Sequence, residues 1–163
     1  MSEEQLSRLE ELSRSDSLEL LQGRSHVGRL GFIVDGRPMI RPVNCVASND
    51  SIVFCTAPGT KLSAVSRGAQ VVFEVDESRP IYPHAAWSVI IQGTAREVTD
   101  PEELKILRRG PLHSWAVPPS EHWVRISIDE ITGRRIPDDD LVDVPVDRRQ
   151  DRSWSADDVE SPH

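Results

Sequence analysis

The chain of 163 residues has little lysine: of its 19 basic side chains only Lys61 and Lys105 are not arginine. It has two cysteines, Cys45 and Cys55, too few for a disulfide framework or a cysteine-rich metal knuckle. Both fall in strand-like runs and read as small buried hydrophobes, in keeping with a reducing, cytoplasmic setting. No apolar run reaches the roughly 18 to 20 residues of a membrane span, so no membrane partner is expected. Met1 to Glu11 is acidic, without the basic and apolar regions of a secretory signal. The sequence has no phosphate-binding Gly-x-Gly-x-x-Gly or P-loop pattern and no serine in a nucleophile elbow. The histidines His26, His84, His113, His122 and His163 are scattered without ligand spacing and read as surface or structural residues. No metal site is expected.

A net charge of −8 argues against a nucleic-acid binder that works through a broad basic surface. The acidity is local, however. Beyond residue 136 nine acidic side chains face three arginines, which accounts for six of those eight charges. Residues 137–163 are also poor in apolar periodicity and read as a disordered or interface-dependent tail, although Val142, Val144 and Val146 alternate as a short strand would. The body that remains is nearly neutral.

That body reads as mainly β. Leu6, Leu9, Leu12, Leu18, Leu20 and Leu21 recur at helical spacing over residues 1–23, with Ser15 or Asp16 available as the cap of a second helix. Residues 1–17 form an N-terminal helical segment on this reading, and residues 18–136 the main domain. Arg29 to Val34 alternates, and Asp35-Gly36-Arg37-Pro38 turns the chain into Met39 to Ala47. Ser48-Asn49-Asp50 then turns it into Ser51 to Thr56. A short helix over Leu62 to Ser66, strands at Gln70–Val75 and Trp87–Val98, and a helix from Pro101 to about Arg109 follow. Glu121–Ile128 and Thr132–Ile136 close the series. About six to seven short antiparallel strands with tight turns predict a barrel or sandwich.

Three places carry candidate chemistry. Thr56 is delivered by a strand into Ala57-Pro58-Gly59, and a helix begins at Thr60 or Lys61. Two hydroxyls, a lysine and free backbone N–H groups there suit a phosphate monoester; equally, Thr60 is an ordinary cap and Lys61 a solvated first-turn residue. Pro42 cannot donate to a sheet ladder and marks an edge beside Arg41, Val43 and Asn44, where Asn44 either recognises a heterocycle or faces solvent. Trp87 opens a strand that carries Gln92, and it either stacks on a ring or fills the barrel.

Val27-Gly28-Arg29-Leu30-Gly31-Phe32, Arg41-Pro42-Val43-Asn44, Thr56-Ala57-Pro58-Gly59-Thr60-Lys61, Val72-Phe73-Glu74-Val75-Asp76, Trp87-Ser88-Val89 with Gln92-Gly93, and Ile131-Thr132-Gly133-Arg134-Arg135 occur in that order. Over Leu18 to Ile136 this set resembles the pyridoxamine 5′-phosphate oxidase-like superfamily, in particular its small nitroimidazole-resistance-type members. The resemblance implies a split β-barrel that forms a homodimer and binds FMN at the subunit interface. It sets Pro42, Val43 and Asn44 beside the isoalloxazine and Thr56, Thr60 and Lys61 at the phosphate. Trp87 and Gln92 then reach the flavin from the partner subunit. Relatives in the superfamily use a deazaflavin coenzyme or haem instead. The implied activity is an FMN-dependent oxidoreductase, with a reduced nicotinamide as electron donor and a small conjugated or nitroaromatic substrate. A flavin enzyme needs few catalytic side chains, so no catalytic residue is assigned. Pyridoxamine phosphate oxidases carry a fuller basic set than Lys61 alone, which argues against that particular reaction. The alternative is a non-catalytic carrier or sensor of flavin, deazaflavin or haem.

Overall fold

The computed structural model describes residues 9–23, 25–48, 50–77, 86–110, 112 and 122–136, with residues 60–62 described by their backbone alone. Eight strands and three helices are present among them. In chain order they are β1 (Glu10–Leu12), α1 (Arg14–Leu21), β2 (Ser25–Val34), β3 (Arg37–Ala47), β4 (Ser51–Thr56), α2 (Thr60–Val65), β5 (Arg67–Glu77), β6 (Trp87–Glu97), α3 (Pro101–Arg108), β7 (His122–Ser127) and β8 (Glu130–Arg135). All strand pairings are antiparallel. The order β6-β5-β2-β3-β4-β7 closes through a second pairing of β7 with β6. The result is a six-stranded split barrel, mainly β, with β8 and β1 continuing the sheet outward from β6.

The N-terminal reading needs correction. Glu10–Leu12, placed by its leucine spacing in a helix, is an edge strand that pairs Leu12 with Gly133, Glu11 with Arg134 and Glu10 with Arg135. An unpaired β8 edge offers backbone partners that a leucine repeat cannot announce. The helix after it is capped by Ser13 rather than Ser15 or Asp16: its hydroxyl oxygen accepts from the Asp16 amide at 3.1 Å, and the same hydroxyl donates to the Asp16 carboxylate at 2.6 Å. The expected helix from Pro101 to about Arg109 agrees with α3, where Asp100 caps and Pro101 occupies the first turn. The tail at 137–163 lies outside the described residues, as do His84, His113 and His163.

Alternation builds the core. Leu30 and Phe32 from β2, Val43 and Cys45 from β3, Ile52 and Phe54 from β4, Phe73 from β5, Val89 and Ile91 from β6, and Val124 and Ile126 from β7 all point into the barrel and are buried. Full burial of each large apolar side chain is worth about 1.5–3 kcal/mol. Outside the barrel Val53, Val98 and Trp123 form a second apolar cluster against Leu104 and Leu107 of α3. Arg125 anchors that helix by donating to Glu103 and, at 2.6 Å, to the Ser51 hydroxyl. The β2–β3 hairpin turns on Asp35 (φ 49°) and Gly36 (φ 74°), two successive left-handed residues that match the twist of the strands. At the β6–β7 seam the backbones nearly touch, since a Cβ on Gly93 would lie 1.7 Å from the Ser127 carbonyl oxygen.

Candidate functional site at the split of the barrel

The two halves of the barrel part between β3 and β4. β3 follows β2 from Arg37 to Val46, yet it meets β4 only through Cys45–Phe54, Val46–Val53 and Ala47–Ile52. β4 instead continues along β7, ending with Thr56 opposite His122. Residues 37–43 therefore pair with no second strand among the described residues, and that stretch of the β3 edge is open. The sequence states which backbone groups line that edge. Pro38 and Pro42 have no N–H and are tolerated where the nitrogen faces away from the ladder. Residues two apart share a direction, so Ile40 and Asn44 turn their amide and carbonyl groups to the same side. The Ile40 carbonyl accepts from Arg41 Nη1 at 2.8 Å there.

Several candidate residues gather along this split. Pro42 is exposed, Asn44 half-buried with its hydrogen-bonding potential engaged, and Val43 buried with its side chain in the core. Across the gap Thr56 is buried at 6% exposure, and its hydroxyl donates to the Ala57 carbonyl at 3.3 Å. Thr60 and Lys61 open α2 directly after the Ala57–Gly59 turn, and their side chains lie outside the described set. Because Cys45 opposite Phe54 is the last β3–β4 pair, Pro42–Asn44 and Thr56–Lys61 both lie beyond it at the same end of the two strands.

Trp87 and Gln92 are separated. Trp87 points into the core, 8% exposed, with its ring edge-on to His26 at a centroid distance of 5.9 Å. The His26 ring is held in turn against the Leu21 carbonyl, 3.1 Å from Nε2. Gln92, five residues on, points outward. It lines a groove of about 320 Å³ with Gly31, Ile33, Pro38, Met39 and Val72.

That groove belongs to a wider apolar face. The register sets Gly31 against Ile40 and Val72, Val72 against Gln92, and Glu74 against Ile90. Val27, Ile33, Ile40, Val72 and Ile90 on it are between 42% and 60% exposed. In their midst Arg29 Nη1 donates to Glu74 at 2.7 Å and Asp76 at 2.5 Å, and these two carboxylates, Asp76 first, raise the pKa of the guanidinium. These aliphatic side chains come from four strands, and only the register brings them onto one face.

Burial pushes the Cys45 thiol up to about 12. No group of three or more potential metal ligands occurs among the described residues.

A sequence model of the pyridoxamine 5′-phosphate oxidase family matches residues 13–135. The chain belongs to the pyridoxamine 5′-phosphate oxidase family. Its split barrel agrees with that assignment, as does the order of the motifs along the strands. An uncharacterised protein of Mycobacterium tuberculosis is 34% identical over 131 residues, covering 77% of this chain and 84% of its own. Among solved structures, an FAD-binding protein from Mycobacterium smegmatis is 36% identical with a TM-score of 0.66, over 78% of this chain and 98% of that one. A conserved protein of unknown function from Corynebacterium diphtheriae is 33% identical with a TM-score of 0.63, over 79% of this chain and 98% of that one. Within the family, then, this chain is similar both to a flavin binder and to proteins whose activity is not known. No described helix is long and apolar enough to cross a membrane.

Proposed function

We propose that the protein is an FMN-dependent oxidoreductase that holds its flavin in the split between β3 and β4, at the interface of a homodimer. The observation that carries this reading is the open β3 edge at Pro42 and Val43, next to Asn44, set beyond the last β3–β4 pair together with the buried Thr56. A flavin has a flat ring with donors and acceptors along one edge and an anionic phosphate on its side chain. The β3 edge offers backbone groups to the first, and Thr56 with Thr60 and Lys61 offers hydroxyls and a cation to the second. The FAD-binding relative supports a flavin of some kind. FMN is the form proposed here, because the turn at 56–61 provides for one phosphate.

The apolar face supports the proposal of a second subunit. Five exposed aliphatic side chains around Ile40 and Val72 make the kind of apolar patch that marks an interaction site, and Ile40 lies on the same strand as the open β3 edge. A second copy would cover it and bring Gln92 toward the partner's flavin, while Trp87 supports the barrel from within. The flavin supplies hydride chemistry when bound. The chain's own residues bind it, orient it and exclude water from one ring face. The proposed setting is cytoplasmic, with a reduced nicotinamide as donor and a small conjugated compound as acceptor.

Anaerobic addition of a reduced nicotinamide to the flavin-loaded protein tests this function. Bleaching of the flavin followed by rapid return of colour on adding a nitroaromatic or quinone acceptor is expected. A flavin that stays oxidised would favour a carrier or sensor.

A further inference from the structure

The histidine that the sequence passes over stands beside the proposed phosphate position. His122 is the register partner of Thr56, so the two side chains leave neighbouring strands on the same face. From the other side of β7, Glu97 at the end of β6 reaches the same ring, with Oε1 2.5 Å from Nδ1. The three residues form a row across β4, β7 and β6, and α2 packs against β6 and β7 nearby. The Glu97 carboxylate can only accept, so Nδ1–H donates to Oε1 and the contact fixes the orientation of the imidazole. Nε2 is the ring nitrogen left over, and it has no partner among the described residues.

A stabilising ion pair does not account for this arrangement. The two side chains are 32% and 30% exposed, a setting in which such pairs contribute little. The held orientation points instead to recognition. We propose that His122 is a phosphate-contacting residue of the flavin site, with Glu97 as its positioning residue. This rests on the reading that Thr56 meets the flavin phosphate. A ring that carries both protons can donate to both neighbours, Nδ1–H to Glu97 and Nε2–H to the anion. In a chain with only two lysines, it adds a hydrogen-bond donor to a pocket that otherwise depends on Lys61.

Titration of the cofactor-free protein with FMN and with riboflavin, followed by quenching of flavin fluorescence, tests the proposal. The wild-type protein should bind FMN more tightly than riboflavin. His122→Ala should weaken FMN by about tenfold or more, the effect of losing one charge-assisted hydrogen bond, while riboflavin affinity stays within about twofold. Glu97→Gln should lower the FMN preference by a smaller factor, because its amide holds the ring less firmly. His122→Gln, which retains a neutral donor, should keep part of the preference, and it serves if the alanine variant fails to fold. An undiminished FMN preference in the His122 variants overturns the proposal alone. A wild-type protein that binds FMN no better than riboflavin overturns the phosphate reading at Thr56 and this inference with it.

Discussion

Trp87 and Gln92 lie five residues apart on β6 and project from opposite faces of the sheet, the indole into the barrel against His26 and the amide into the outer groove beside Val72. Odd spacing on a strand makes this unavoidable. The two residues therefore answer differently to truncation. Trp87→Ala should cost about 3–5 kcal/mol in denaturant unfolding through a large cavity. Gln92→Ala should leave stability within about 0.5 kcal/mol and lower flavin affinity instead. Equal losses of stability would contradict the placement.

Two glycines separate a backbone collision from a side-chain one. A Cβ at Gly93 meets the Ser127 carbonyl at 1.7 Å, and both groups belong to paired strands. A Cβ at Gly28 meets the Phe73 ring at 2.3 Å, which can shift, and the Glu74 carbonyl oxygen only at 3.0 Å. Gly93→Ala should thus yield little folded protein, whereas Gly28→Ala should fold with a lower Tm. Comparable circular dichroism and melting for both would show that the β6–β7 seam is looser than described.

Cys45 should resist modification in the folded protein. Its thiol is buried at 1% exposure and its pKa is pushed up to about 12, so almost no thiolate exists at neutral pH. Treatment with a thiol reagent followed by peptide mass analysis should find Cys45 unmodified until denaturant is added. Rapid labelling under native conditions would mean that the barrel opens often.

The apolar outer face predicts an assembly state. Ile40, 60% exposed, lies centrally on β3 opposite Gly31. Ile40→Asp should leave the barrel folded, shift the protein to a monomer in sedimentation, and weaken flavin binding at the split. A wild-type protein that sediments as a monomer would remove the second subunit from the account.

Much of the fold was legible in local pattern. The Asp35-Gly36 turn, the alternation of Leu30 and Phe32, and the Asp100-Pro101 helix start are short-range signals, and each lies where the sequence suggests. β1 was hidden because three residues pair with β8 more than a hundred positions away, a contact with no local signature. The candidate site was half legible. Pro42 announces an edge on its own, and the family resemblance joins it to Thr56 through Lys61. The neighbours of Thr56 are a matter of register: nothing in a scattered histidine indicates that His122 stands opposite it with Glu97 at its other side. The apolar face was missed for the same reason, since Ile40, Val72 and Ile90 come from three strands.

The central claim is that this barrel holds a flavin, and the visible spectrum of the purified protein tests it most directly. The account predicts a yellow protein with absorbance maxima near about 370 and 450 nm, which releases FMN in a ratio of about one per chain on denaturation. A colourless protein that takes up no added FMN would contradict it, as would a haem Soret band in place of the flavin bands.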